Sequence, residues 1–516
     1  MKRKVMFFMM LLAVSTVLCA CTNGTKDGDG KGDSDKVYYG GKIVLGITQD
    51  LDSLDPHKAV AAGTKEVLYN IFEGLIKVSQ YGDFVPAVAS SYQILDDGAR
   101  YSFKLREGVK FHNGKTVTPA DVVYSLKRVA GMLDTEEADV SKISAFSIIS
   151  DIKETADGVD VYLSTPNTEL IGYFTCSIIP CDYDAQATGP VGTGPFKFVS
   201  YEALQKLVVA KNEDYYIEGV PYLDEVTFKI SASTDAAFME LMAGSIDILP
   251  YLTNDQAAQL QGKMDVVNGT MNLVQALFLN NAVKPFDDVR VRQAICYAIN
   301  RQEILNLVAG GLGVVIGTNM FPTFNTYYDE TLVNTYSYDI DKAKALLTEA
   351  GYPNGFSFSI TIPSNYDFHV KTGEVIVEQL KKVGITAEIK LVEWATWISD
   401  VYVGRQYETT IIGLDSQLAP SDVLRFYPST SSKNFMNYFN SDFDALFEKA
   451  KAAVNESEKA SYYKQLEKML TDQAASAYIQ SPTQLVAINK NIGGYTFYPL
   501  YVQDMSTIYY KVDPKK

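Results

Sequence analysis

The sequence lacks the residue spacings that nucleophilic, phosphoryl-transfer or metal-dependent catalysis requires. Neither a Gly-x-Ser-x-Gly nor a His-Glu-x-x-His motif occurs among the 516 residues. Gly114-Lys115-Thr116 resembles the end of a phosphate-binding loop, but Val109 stands where that loop needs its first glycine. Lys371-Thr372-Gly373 and Ser461-Tyr-Tyr-Lys464 resemble a β-lactamase set, but in reversed order and within helical patterns. We therefore expect that the protein is not an enzyme.

The histidines and tryptophans give weak site signals. The three histidines are too scattered to indicate a metal cluster, and we interpret His57 and His112 as turn or surface residues. Trp394 and Trp397 are three residues apart on one face of a predicted helix, a spacing that favours the core over ligand contact while leaving both open. We predict no metal and no cofactor.

Composition indicates a folded, acidic protein. Hydrophobic residues make up 47% of the chain and charged residues 21%, which is ordinary globular usage. The length suggests about three domains. A net charge of −16 with no basic stripe argues against nucleic-acid binding, because such a protein repels phosphate.

Residues 1–20 have the pattern of a secretion signal. Lys2-Arg3-Lys4 precedes an apolar run from Val5 to Ala20, which is short for a membrane span. The run ends in Leu18-Cys19-Ala20-Cys21, which resembles a bacterial lipobox with cleavage before Cys21 and a lipid on its thiol. A plain signal peptide cut nearby is the alternative. Thr22–Lys36 contains no apolar residue, so we predict that residues 21–36 are a lipidated cysteine followed by a disordered tether.

Helix and strand patterns are mixed in the rest of the chain. Thr118 is predicted to cap a helix that begins at Pro119, with Asp121 in its first turn. Thr64–Val78 and Val289–Val308 read as single helices, and the last 30 residues read as strands. The other predicted strands are 42–48, 101–106, 159–163, 196–199, 207–210, 226–230, 356–362, 385–393 and 407–414, and the other helices are 339–350, 367–383, 441–453 and 456–473.

The remaining cysteines allow one disulfide bond. Cys176 and Cys181 are close enough in the sequence to pair across a tight loop, which spacing alone does not decide. Cys296 lies in an apolar helical pattern and is predicted to be buried.

One long block of the sequence resembles a known family. Phe84–Arg128, FVPAVASSYQILDDGARYSFKLREGVKFHNGKTVTPADVVYSLKR, closely resembles the signature of the family 5 extracellular solute-binding proteins, the oligopeptide, dipeptide and nickel binders of bacterial ABC importers. Further segments resemble other blocks of that family, and together they span nearly all of the mature chain. These segments are Leu51–His57, Ile71–Leu75, Gly192–Phe196, Asn212–Phe228, Asn280–Arg301 and Glu393–Thr396.

The resemblance implies an α/β fold that is bilobal and periplasmic-binding-protein-like (type II, cluster C), with an extra insert domain. The ligand would lie between two lobes that close by a hinge motion. The implied domains are a signal peptide (1–20), the lipidated cysteine and tether (21–36), lobe I (37–79, 190–272 and 483–516), a family-specific insert domain (80–189) and lobe II (273–482).

The resemblance also implies where a peptide would bind. In the peptide binders an acid at the end of a strand neutralises the α-ammonium of the ligand, and Asp415 stands at the matching place. Ser364–His369 resembles a ligand-facing segment, in which His369 could meet a carboxylate. The arginines and lysine that hold the ligand's carboxylate in oligopeptide binders have no clear match here. The predicted ligand-binding residues are Asp415, Gly413, Trp394, His369, Asn365, Ala61 and Ala62.

The function that this resemblance implies is solute capture and delivery to an ABC permease in the membrane. An oligopeptide is the favoured ligand, and a nickel complex, an oligosaccharide or a signalling peptide are alternatives, with a secreted enzyme as a remote one. We expect a monomer on the outer face of the bacterial cytoplasmic membrane, attached only through the lipid on Cys21.

Overall fold

The computed structural model describes residues 36–134, 137–416 and 418–515. The predicted signal peptide, the lipobox with Cys21, and the tether as far as residue 35 lie outside the described residues. The described residues contain twenty strands and twelve α-helices, together with short 3₁₀ turns and one π-helical segment at Trp397–Val403.

Lobe I is built on one end of a large mixed sheet. Its strands β1, β8, β9, β10 and β11 follow the order β11-β1-β10-β9-β8, in which β1 runs parallel to both β10 and β11. Two short strands near the C-terminus form a separate pair, β19 with β20. The elements are β1 (Lys42–Ile47), α1 (Ala62–Leu68), β8 (Phe196–Glu202), β9 (Lys206–Lys211), β10 (Glu225–Ile230), α3 (Thr234–Met242), β11 (Ile248–Pro250), α4 (Asn254–Gln259), β12 (Asp265–Thr270), β19 (Ile492–Gly493) and β20 (Tyr509–Tyr510).

The insert domain has its own four-stranded antiparallel sheet, in the order β4-β5-β7-β6, and its own apolar core. Helix α2 begins as predicted: the side chains of Thr118 and Asp121 form a capping box around Pro119, and Gly131 ends the helix in the left-handed region. The elements are β3 (Phe84–Pro86), which pairs with β2 (Ile76–Val78) of lobe I, β4 (Ala89–Leu95), β5 (Arg100–Leu105), α2 (Pro119–Ala130), β6 (Ile149–Glu154) and β7 (Gly158–Leu163).

Lobe II contains the other end of the large sheet, in the order β16-β15-β17-β13-β18. Helices pack against it and two apolar cores fill the lobe. The elements are β13 (Val274–Leu279), α5 (Val289–Ala298), α6 (Arg301–Ala309), β14 (Gly313–Val315), α7 (Ile340–Glu349), β15 (Ser357–Pro363), α8 (Asp367–Lys381), β16 (Thr386–Val392), α9 (Trp394–Thr396), β17 (Thr409–Leu414), α10 (Pro420–Val423), α11 (Ser441–Ala452), α12 (Glu456–Asp472) and β18 (Ser476–Ile488).

Strand β18 belongs to both lobes. Its first half pairs with β13 of lobe II, and its second half pairs with β11 and β12 of lobe I. The chain therefore crosses between the lobes twice at adjacent positions, near residues 271–273 and 481–482. Met271 N donates to Pro482 O (2.9 Å), and Ser481 Oγ donates to Met271 O (2.7 Å). Two adjacent chain crossings of this kind have the geometry of a hinge between two lobes.

Three sequence-based predictions of secondary structure were wrong. The helix predicted over Thr64–Val78 ends at Leu68, where the buried Asn70 side chain donates to Val67 O and Gln503 O. The helix predicted over Val289–Val308 is two helices, because Asn300 caps the second one by accepting from Glu303 N (3.1 Å). Beyond β18, the C-terminal stretch contains only β19 and β20, and its aromatic residues pack against other parts of the molecule instead of forming a long ladder.

Candidate ligand-binding cavity

A cavity of about 540 Å³ lies where lobe I, the insert domain and lobe II meet. Its volume is within the usual range for sites that bind small molecules. Most of the wall comes from lobe I and the insert domain. The main wall segments are 56–78, 141–144, 173–177 and 498–506, joined by Val129, Pro195, Tyr215, Asp415 and Ser416.

The wall is largely apolar and rich in aromatic rings. Tyrosine predominates, and the Tyr69 and Tyr498 rings lie 6.2 Å apart between centroids. Such a wall gives large contact area to a ligand while hydroxyl groups remain available for hydrogen bonds. The aromatic residues of the wall are Tyr69, Phe72, Tyr173, Tyr215, Tyr498 and Tyr501.

Lobe II contributes Asp415 and Ser416 to the wall. Asp415 follows the last residue of β17 directly, as the sequence predicts, and its side chain is exposed. Among the described residues, no cation and no hydrogen-bond donor pairs with the Asp415 carboxylate. Burial raises the pKa of the Tyr501 hydroxyl, and the charge of Asp415 raises it further. Asp415 therefore lies near Tyr501 of the C-terminal segment, which lines the same cavity.

The other carboxylates of the wall already have partners. Asp504 accepts hydrogen bonds from Tyr498 Oη (2.6 Å) and from the Ser506 backbone and hydroxyl. Glu73 is buried and accepts from the Tyr215 and Tyr216 hydroxyls, at 2.8 and 2.9 Å. These two acids therefore have little capacity left for a ligand, in contrast to Asp415.

Burial disfavours the charged form of Glu73. Burial raises the pKa of its carboxyl, while the Lys77 ammonium 3.7 Å away and the hydroxyl donors act in the opposite direction. The next residue is Gly74, and the segment around Phe174 approaches it closely. A Cβ at position 74 would lie 2.5 Å from Phe174 O, so only glycine fits there. Glu73 and Gly74 thus fix one wall of the cavity against the insert domain.

His57 lies in the turn at residues 56–58, as one part of the prediction has it, but it is buried and not at the surface. Its side chain lines the cavity, and its Nε2 lies 2.8 Å from Ser177 O. Burial lowers the pKa of His57 to about 4, and the nearby Arg128 guanidinium also lowers it. Arg128 binds the Asp55 carboxylate through both terminal nitrogens, at 3.0 and 2.9 Å, and also binds Glu137. This network holds the loop before α1 against α2.

The structure places two of the predicted ligand-binding residues, Asp415 and Ala62, on the cavity wall. Ala61 N donates to Asp52 Oδ2 (3.0 Å) at the start of α1. Gly413 pairs with Gln275 in the sheet, two residues before Asp415. Asn365 is exposed at the end of the β15–α8 connection. Their roles in binding stay predictions.

His369 lies inside lobe II, in a cluster of buried polar groups. Gln275 Nε2 donates to His369 Nδ1 (2.8 Å), and Gln480 Nε2 donates to Gln275 Oε1 (2.8 Å). Burial lowers the pKa of His369 to about 4, so its ring is neutral at neutral pH. The cluster sits beside Gly413 on the neighbouring strand.

The two tryptophans have different environments. Trp397 is 3% exposed and donates through Nε1 to Thr410 Oγ1 (2.9 Å), whereas Trp394 is 40% exposed. The sequence pattern favoured a core position for both tryptophans, and the structure places Trp397 in the core. Trp394 lies edge-on to Tyr366, with ring centroids 5.4 Å apart. Tyr366 in turn is close enough to Tyr501 to raise the pKa of the Tyr501 hydroxyl.

Sequence reasoning missed most of the wall, including the segments 173–177 and 498–506. The first contains Cys176, which carries no disulfide bond to Cys181. The second belongs to the stretch predicted as strand. Its density of tyrosines was the available signal, but only the fold brings it to the cavity. Within the described residues, no group of three or more histidine, cysteine or acidic side chains could hold a metal ion.

The comparisons with known proteins identify the family. A model of the bacterial extracellular solute-binding proteins, family 5 Middle, matches residues 83–441. The chain belongs to this family. The resemblance found in the sequence is therefore confirmed. The solute-binding proteins of this family are extracellular.

This family 5 protein matches its relatives over nearly their whole length. The oligopeptide-binding protein AppA of Bacillus subtilis is 25% identical over 527 residues, covering 96% of this chain and 97% of the relative. Heme-binding protein A of Haemophilus influenzae is 28% identical over 540 residues, covering 95% and 96%. The solved structure of the binding protein DppA from Helicobacter pylori with the peptide STSA is 26% identical, has a TM-score of 0.76 and covers 92% of this chain and 99% of that one. The bilobal α/β fold class is confirmed.

Proposed function

We propose that this protein captures an oligopeptide in the cavity and delivers it to an ABC importer. The observation that carries the proposal is the Asp415 carboxylate, which has no partner among the described residues, on a wall whose other acids are satisfied. A carboxylate enclosed by closing lobes needs a cation, and the α-ammonium of a peptide supplies one. The names of two similar proteins, an oligopeptide-binding protein and one solved with a bound peptide, support this ligand class.

The proposed action is binding and release without chemical change. The catalytic motifs sought in the sequence do not occur, and the relatives are binding proteins. We further propose that the protein is a monomer anchored by a lipid on Cys21 to the outer face of the cytoplasmic membrane. Leu18-Cys19-Ala20-Cys21 supports the anchor. Within the described residues, no helix is both long and apolar enough to cross a bilayer.

Native mass spectrometry of the purified protein tests the ligand class. We expect a set of bound masses that fragment as peptides and disappear after unfolding and refolding. A single bound mass that does not fragment as a peptide would contradict the proposal and favour another solute. Calorimetric titration with tetra-alanine, once with a free and once with an acetylated N-terminus, then tests the role of the α-ammonium.

A further inference from the structure

A buried carboxylate of the insert domain reaches across to lobe II outside the cavity. Glu169 is 6% exposed. Its Oε1 accepts a hydrogen bond from Tyr463 Oη (2.6 Å), and its Oε2 accepts from the backbone of Ser421 (2.9 Å). Tyr463 lies on α12 and Ser421 on α10, so both donors belong to lobe II. We call these two bonds the Glu169 contact.

Neighbouring groups join the same two bodies. Tyr173 Oη donates to Asp422 Oδ1 (3.1 Å), and Thr168 Oγ1 donates to Ala453 O (3.2 Å). Each pair has one member in the insert domain and one in lobe II. The Glu169 contact is the charged centre of this group, and charge-assisted bonds of this kind are stronger than neutral ones.

The Glu169 contact is continuous with the cavity on both sides. On the insert side, Tyr173 lies four residues after Glu169 and forms part of the cavity wall. On the lobe II side, Ser421 lies in the short helix that follows Asp415 and Ser416. The contact therefore joins the two walls that must come together around a ligand.

The buried Glu169 carboxyl depends on its hydrogen-bond donors in lobe II. Burial raises the pKa of the Glu169 carboxyl, while its donors and the more distant Lys459 act to lower it. Tyr463 is fully buried. With the lobes apart, water would solvate Glu169, and with the lobes together only Tyr463 and Ser421 can replace that water. The two bonds therefore require the insert domain and lobe II to stay together.

We propose that Glu169 is an affinity-determining residue that acts by stabilising the closed arrangement of the lobes, without contacting the ligand. The inference rests on the proposed function, because it assumes a ligand that lobe closure retains. It assigns a role to the insert domain: through Glu169 it holds lobe II over the occupied cavity. The chain crossings at 271–273 and 481–482 are the pivot, and the Glu169 contact lies on a separate surface.

The test uses two variants and a matched control, each in the full-length protein. Tyr463→Phe removes one donor and keeps the buried ring, and Glu169→Gln removes the charge with nearly the same shape. Glu467→Gln is the control, because Glu467 is likewise a buried glutamate, lies on α12, and among the described residues its side chain accepts from Asp329 N (3.1 Å) alone, within lobe II. Thermal melting of all three shows that each variant is folded.

The measurement is dissociation of tetra-alanine by stopped flow, with the affinity from calorimetry. We expect about tenfold faster dissociation and about tenfold weaker affinity for Tyr463→Phe and for Glu169→Gln, with association unchanged. The double variant should lose less than the product of the two single losses, because both changes remove the same bond. Glu467→Gln should behave as wild type.

Two results would overturn the inference while leaving the proposed function intact. One is tight binding by the wild type with unchanged dissociation in both variants. The other is an equal loss in Glu467→Gln, which would mean that changing any buried carboxyl group near α12 matters in the same way. If the wild type binds no peptide, the proposed function fails, and this inference fails with it.

Discussion

The indole rings of Trp394 and Trp397 are stacked, with centroids 5.1 Å apart and planes within 5° of each other. The Trp397 ring is buried in lobe II and hydrogen-bonded, and Trp394 is partly open to solvent. Since the protein contains only two tryptophans, its intrinsic fluorescence reports on this one place.

We predict that ligand changes this fluorescence through Trp394. Trp394 touches Tyr366, which lies close to the cavity residue Tyr501, so lobe closure should alter the solvent around the exposed ring. The ligand-dependent change in emission should be lost in Trp394→Phe and retained in Trp397→Phe. An emission spectrum of the wild type that does not change at saturating ligand would contradict the placement of Trp394 beside the cleft.

Asp415→Asn should weaken the binding of a peptide with a free N-terminus by at least about tenfold. Closing lobes remove water from the ligand ammonium, and asparagine keeps the shape of the side chain but not its charge. Affinity for the acetylated peptide should be much less affected. Asp442→Asn is the charge control, because Asp442 is exposed at the start of α11 in the same lobe. Equal affinities of Asp415→Asn and wild type, measured by calorimetry, would refute the proposed role.

Cys21→Ser should release the protein from membranes without changing its fold or its binding. The segment that resembles a lipobox ends in Cys21, and the described residues contain no membrane-spanning helix. Fractionation of cells followed by detection of the protein decides the outcome. A Cys21→Ser variant that remains in the membrane fraction would show that attachment does not depend on this thiol.

Glu66 should make stability depend on pH. Burial raises its pKa from 4.5 to about 6, although the Tyr251 hydroxyl and the Gln503 amide hydrogen-bond to the carboxylate. Between these two pH values the folded form holds a proton that the unfolded form has released. The free energy of unfolding therefore falls as the pH rises through this window, by about 2 kcal/mol for this group, and stays lower above it.

Glu66→Gln should remove that contribution. The difference in unfolding free energy between variant and wild type should shift in favour of the variant by up to about 2 kcal/mol between pH 4.5 and pH 7.5. Urea denaturation at both pH values measures it. The other buried carboxyls titrate in both proteins and cancel in the comparison. Parallel pH profiles for the two proteins would mean that Glu66 keeps its ordinary pKa.

Some local signals in the sequence predicted the structure correctly, whereas contacts between distant parts of the chain could not be predicted. The start of α2 could be predicted because Thr118, Pro119 and Asp121 act on each other within one turn. The position of Asp415 followed from the apolar strand before it. The break at Asn300 was missed because the apolar pattern continues across it. The wall segments 173–177 and 498–506 could not be predicted, because they reach the cavity only through packing with residues far away in the chain.

Strand β18 also has a consequence for the order of folding. Its residues 476–488 come near the end of the chain, yet they supply a central strand to the sheets of both lobes. A chain emerging from the secretion channel has no complete sheet in either lobe until about residue 488 has crossed. Early collapse around half-built sheets would expose strand edges to aggregation. We therefore expect that truncation just before β18 yields an aggregating product, whereas truncation after β18 leaves both sheets intact.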